Sequence, residues 1–177
     1  MGTDILRPPG EIHEQAEPVL VSACLLGVHC RYDGSTNPSA ELVERLAGAR
    51  VIPVCPEQLG GLCTPRPAAH LEGGSGEDVL DGKARVVTDA GVDVTRQYLQ
   101  GAHEALQLAR LIGARRAILK ERSPSCGCLQ VHRDGALQSG RGVTAALLER
   151  EGIVVESLDP PKKQSRVGCV QSAQTHH

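Results

Sequence analysis

Phenylalanine and tryptophan are missing from this sequence, and Tyr32 and Tyr98 are its only large aromatic side chains. The core of the 177-residue chain must therefore be built from Val, Leu, Ile and Ala. That suits a sheet covered by helices. No block of Lys and Arg occurs and the net charge is −2, so the electrostatic footprint of a nucleic-acid binder is missing. No apolar run approaches the length that crosses a bilayer, and the first residues lack a basic region followed by an apolar stretch. The chain reads as soluble and cytoplasmic. Paired CxxC spacing is absent too, which removes support for a zinc ribbon, and so is a compact ferredoxin run.

What is present is cysteine, seven in number. Without a secretory signal, thiols at motif positions read as ligands or catalysts rather than disulfides. Any ligand set must be brought together by the fold.

Length predicts one domain over residues 18–159, with a loose arm at 1–17 and a polar, disordered tail at 160–177. The apolar run at 18–23 reads as a buried strand. Asn37 and Pro38 give a helix-start signal, the helix running to about Ala47 with Leu42, Val43 and Leu46 inward. Residues 50–54 are a second strand, placed at an edge by Pro53, which has no N–H to donate. Residues 59–67 read as a loop, and 71–89 as a β excursion, hairpin or flap. A long helix over 93–113 buries Val94, Tyr98, Ala102, Ala105, Leu106, Ala109 and Ile112. A strand at 115–120, a hairpin turning at Asp134-Gly135, a helix at 144–151 and a last strand at 153–157 complete the order. This β-α-β-(excursion)-α-β-α-β order predicts an α/β three-layer sandwich. Its Rossmann-like sheet is mainly parallel, with helices on both faces.

Three strands run straight into a cysteine and a turn. They lead to Cys24-Leu-Leu-Gly-Val-His-Cys30-Arg-Tyr-Asp33-Gly34, Cys55-Pro-Glu57-Gln-Leu-Gly-Gly61 and Lys120-Glu-Arg-Ser123-Pro-Ser125-Cys126-Gly127. In a parallel sheet Cys24, Cys55 and Cys126 then meet at the carboxyl edge, where open α/β sheets bind ligands. Three converging thiols call for a metal or a sulfur reaction. One buried cysteine alone would read as a small hydrophobe. Cys30 has three readings: a fourth ligand, a carrier of persulfide sulfur, or a structural thiol. Cys63, Cys128 and Cys169 stand outside the pattern. Glu57, two residues past Cys55, is suited to general acid–base work beside a partly dry metal site. Ser123 and Ser125 offer hydroxyls for substrate or proton, and Arg31 and Arg66 offer guanidinium groups to the substrate. Asp33 reads as a turn residue, His29 as exposed and Tyr98 as core.

These three segments, with Thr64-Pro-Arg66 after the second, resemble the signature of the thiouracil desulfurase family, small iron–sulfur proteins. The resemblance covers about residues 18–157. Cys63 departs from it, since proline is usual there. The resemblance implies a [4Fe–4S] cluster on three cysteines with one iron open. It implies non-redox desulfuration of a thiolated pyrimidine such as 2-thiouracil, with Glu57 and Ser123 catalytic. Two other readings differ from this. One is action on thiolated RNA nucleosides, disfavoured by the charge. The other is a sulfur carrier or redox protein using Cys24 and Cys30 as a thiol pair.

Overall fold

The apolar runs become strands in the order expected, in a computed structural model that describes residues 16–158. The arm and tail therefore lie almost wholly outside the described residues. In chain order, β1 (Pro18–Ser22) passes through a single 3-10 turn at Ala23–Leu26 to α1 (Ala40–Arg45), β2 (Arg50–Val54) and α2 (Pro56–Leu59). Next come β3 (Ala69–Glu72), α3 (Gly76–Leu80) and β4 (Arg85–Thr88). α4 (Thr95–Ile112) leads to β5 (Arg116–Lys120) and the hairpin of β6 (Gln130–Arg133) and β7 (Ala136–Ser139). α5 (Val143–Arg150) and β8 (Val154–Leu158) end the described chain.

β1, β2, β5 and β8 form one parallel sheet in the spatial order β2-β1-β5-β8. The chain steps from β1 to β2 on one side, then crosses to β5 on the other. That reversal between β1 and β5 is the switch point at which open α/β sheets form a crevice. Pro53 does sit on the edge strand, opposite Val21. Side chains alternate across the sheet with period two. Leu20, Ala117 and Leu119 join the core built with α4 and α5, while Val19, Val21 and Ile118 pack with Leu42 of α1. Helices thus cover both faces.

The excursion is larger than a flap. β3 and β4 pair antiparallel, β6 and β7 pair antiparallel, and Leu71 opposite Arg133 joins the two pairs in parallel. The result is a second four-stranded sheet, β4-β3-β6-β7, whose Leu71, Val86 and Val131 are fully buried in the same core as α4 and α5. The predicted Asp-Gly hairpin is present, with φ of 49° at Asp134 and 79° at Gly135. Positive φ at both central residues is what a tight two-residue hairpin needs.

Two local expectations are corrected and a third is refined. α1 begins after Ser39, whose hydroxyl accepts from the Leu42 N–H at 3.2 Å; Asn37 instead gives its N–H to the Cys24 carbonyl at 3.0 Å. Val43 is 52% exposed, because Leu42 and Leu46 already share the inner face of this six-residue helix and the next position turns away from it. The turn expected directly after Cys55 is one turn of helix, since Pro56 at the first helical position is pre-set for that conformation, and the loop expected over 59–67 follows it.

Candidate metal and catalytic centre

At the carboxyl ends of β1, β2 and β5 lies a cavity of about 560 Å³. Cys24, Cys55 and Cys126 all line it, and so does Cys30. All six described cysteines are free thiols; Cys169 lies outside the described residues.

Each thiol is set by its own backbone device. Cys24 lies in the 3-10 turn after β1, closed by Gly27 at φ 97°. Its carbonyl accepts from Thr36 Oγ1 and the Asn37 N–H, both at 3.0 Å. Cys55 precedes α2 and its carbonyl accepts the Leu59 N–H at 3.0 Å. Cys126 gives its N–H to Ser123 Oγ at 3.1 Å. Cys30 lies between the first two: its carbonyl accepts from Cys55 Sγ at 3.6 Å. The Cys30 thiol is pushed up to about 11, chiefly by its hydrogen bond with Cys24. The hydrogen bond with Cys30, then burial, raises Cys55 well above the ordinary thiol range. Burial raises Cys126. Ligation at these positions must therefore release protons.

A buried ion pair stands beside the thiols. Arg66 Nε lies 2.7 Å from Glu57 Oε2, with side-chain exposures of 5% and 14%. Further guanidinium N–H groups reach Cys63 O at 3.2 Å, Thr64 Oγ1 at 3.1 Å and Cys30 O at 3.0 Å. Arg66 lines the cavity, and four of its five N–H donors are held by the protein. It clamps Glu57 and the Cys30 backbone from the cavity wall, where the sequence expected a substrate contact. Tyr98, read from sequence as core, is 2% exposed and also lines the cavity. Burial and then the Glu57 carboxylate hold its phenol well above the ordinary range. Helical periodicity could say only that this face is inward; the extra signal was a hydroxyl on it, which needs a partner when buried.

Ser123 Oγ accepts the N–H groups of Ser125 and Cys126, both at 3.1 Å. Its oxygen is thus engaged by the turn, and its own proton remains to donate. Ser125, expected at the substrate, is instead fully buried with its hydroxyl 2.8 Å from Thr144 Oγ1. Arg31 lies at the cavity wall, 5.9 Å over the Tyr32 ring and 3.6 Å from Asp33. Among the residues outside the pattern, Cys63 donates to Pro65 O at 3.3 Å. Cys128 is buried, points at Cys126 O at 3.5 Å and is pushed up to about 12 by burial.

The whole Cys126 turn hangs on Glu121. Its carboxylate accepts the N–H groups of Arg122, Cys128, Leu129 and Gln130 at 2.8–3.3 Å. Burial would raise its pKa, but the N–H groups of Gln130, Leu129 and Arg122, with the Ser157 side chain, outweigh burial and lower it.

Among the described residues no three His, Cys, Asp or Glu side chains converge as ligands of one metal ion would. Soft thiols spread around one cavity fit an iron–sulfur cluster, which takes its thiolates at separate irons.

Comparison with known proteins agrees with this chemistry. The family model for 2-thiouracil desulfurase matches residues 19–159. The chain is 46% identical over 142 residues to a Bacillus subtilis (strain 168) protein named "Uncharacterized protein YbbK", covering 78% of this chain and 94% of that one. A solved structure, the [4Fe-4S]-dependent thiouracil desulfidase TudS, superposes with a TM-score of 0.69 at 43% identity, covering 80% and 90% of the two chains.

Proposed function

The chain belongs to the 2-thiouracil desulfurase family, and on that premise we propose how its cavity takes sulfur from a thiolated pyrimidine such as 2-thiouracil. The activity is hydrolytic and without net redox change: the base and water give the oxo base and hydrogen sulfide. The cofactor is a [4Fe–4S] cluster, and Cys24, Cys55 and Cys126 would hold it. When bound, it supplies an iron with no protein ligand, a Lewis acid that makes the exocyclic sulfur a better leaving group.

The protein's own groups do the rest. Glu57 takes the proton of the water that attacks the ring carbon and can return it to a ring nitrogen. Arg66 fixes the orientation of Glu57 from behind. Ser123 donates its hydroxyl proton to the bound base, since its oxygen is already held by two N–H groups. Arg31 and the Tyr32 ring guide the base at the cavity wall. A cavity of about 560 Å³ suits a single small molecule. The free thiols suit a reducing cytoplasm, and no described helix is long and apolar enough to cross a membrane.

The observation that carries this reading is the meeting of Glu57, Ser123 and three thiols from three strand ends in one cavity. The experiment is anaerobic loading with iron and sulfide, then incubation with 2-thiouracil. Uracil and sulfide should form in equal amounts, and thiolated RNA should remain intact. A fully loaded protein that spares 2-thiouracil, or that prefers thiolated RNA, contradicts the reading.

A further inference from the structure

α4 meets α2 without side chains between them. A Cβ on Gly101 would come 1.8 Å from the Pro56 carbonyl oxygen, and one on Gly60 would come 2.0 Å from that of Gln97. Tyr98 lies three residues before Gly101, on the same face of α4. The crossing therefore brings the Tyr98 turn of α4 against the Pro56-Glu57 segment, and the Tyr98 and Glu57 side chains both line the cavity. We propose that Tyr98 is a positioning residue for Glu57: its hydroxyl donates to the carboxylate and, with Arg66 on Oε2, fixes the direction of the remaining lone pairs into the cavity.

Several observations support the pairing. Tyr98 is 2% exposed and lines the same cavity as Glu57, so its hydroxyl has a carboxylate within one small, enclosed site to satisfy it. Glu57 is the acceptor beside it, and both burial and that carboxylate oppose ionisation of the phenol. A carboxylate held by two donors from different elements has little freedom to swing.

This rests on Glu57 as the proton-handling group, and the test separates the two claims. At matched iron content, Tyr98→Phe should lower kcat about tenfold with KM little changed, a fraction of the 10²–10⁴-fold typical of a whole acid–base group. In a Glu57→Gln background the same change should cost almost nothing. The second readout needs no turnover. The chain has two tyrosines, so the full-length loaded protein carrying 3-fluorotyrosine gives two fluorine resonances, which Tyr32→Phe assigns. Glu57→Gln should shift the Tyr98 resonance and leave that of Tyr32 in place; this arm stands even if Tyr98→Phe does not fold. An unmoved Tyr98 resonance, an equal cost in both backgrounds, or parental kcat in Tyr98→Phe overturns the role of Tyr98 alone. Parental turnover in Glu57→Gln overturns the acid–base role of Glu57 and this role with it.

Discussion

Gly101 of α4 lies against the Pro56 carbonyl so closely that a Cβ there would sit 1.8 Å from the oxygen. The contact is backbone to backbone, and no rotamer change relieves it. Gly101→Ala should therefore push α2 away from α4 and carry Cys55 and Glu57 with it. Overpacking of this kind costs about 1–3 kcal/mol. Urea unfolding should show that loss, and iron content after loading should fall in the same protein.

Glu121 gives a pH-dependent prediction. Its folded-state pKa lies below the ordinary value of 4.5, so its contribution to stability is full above that value. It declines as pH falls toward the lower folded-state pKa. Glu121→Gln removes the charge and sets an amide N–H₂ against backbone N–H donors. The expected cost near neutrality is about 2–3 kcal/mol, the scale of hydrogen bonds to charged groups. Urea midpoints measured from pH 7 to pH 3 should converge for the two proteins as acid removes the parental advantage.

Arg66→Lys keeps the charge but loses the planar fork. An ammonium cannot reach Glu57, Cys63, Thr64 and Cys30 together as the guanidinium does. Leaving buried acceptors unsatisfied costs about 1–3 kcal/mol. Steady-state assays at matched iron should show a lower kcat, because Glu57 has lost its fixed direction.

Much of this arrangement was legible in the sequence, where the signal was local. Short apolar runs leading to Cys24, Cys55 and, through the Ser-Pro-Ser turn, Cys126 gave strands, parallel order and the shared edge. Asp134-Gly135 gave a hairpin, and Pro53 an edge. α3 was missed, although Ser75-Gly-Glu-Asp78 carries a capping-box pattern and the Asp78 carboxylate does accept the Ser75 N–H at 2.8 Å. The second sheet could not be read, because it depends on β3 meeting β6 about sixty residues later through one register pair. Tyr98 reads as core and packs there, but the pairing of Arg66 with Glu57 was not legible, because spacing along one segment does not reveal whether a guanidinium faces substrate or a carboxylate.

The cysteines should differ in worth. Serine at Cys24, Cys55 or Cys126 should abolish the cluster absorbance and activity together, since a hydroxyl is a poor substitute for a thiolate on iron. Serine at Cys63 should leave both intact, as its thiol is exposed and bonded only to Pro65 O. Iron and labile sulfide determinations across the four proteins check the set.

Glu57→Gln tests the central claim most directly. Glutamine preserves size and leaves the three thiols untouched, so iron loading should equal that of the parent. An amide neither takes nor gives the proton, so turnover should fall by about 10²–10⁴-fold, or about 3–5 kcal/mol of barrier. The measurement is loss of the 2-thiouracil ultraviolet band at matched iron content. A loaded Glu57→Gln protein that desulfurates 2-thiouracil at the parental rate would contradict the account.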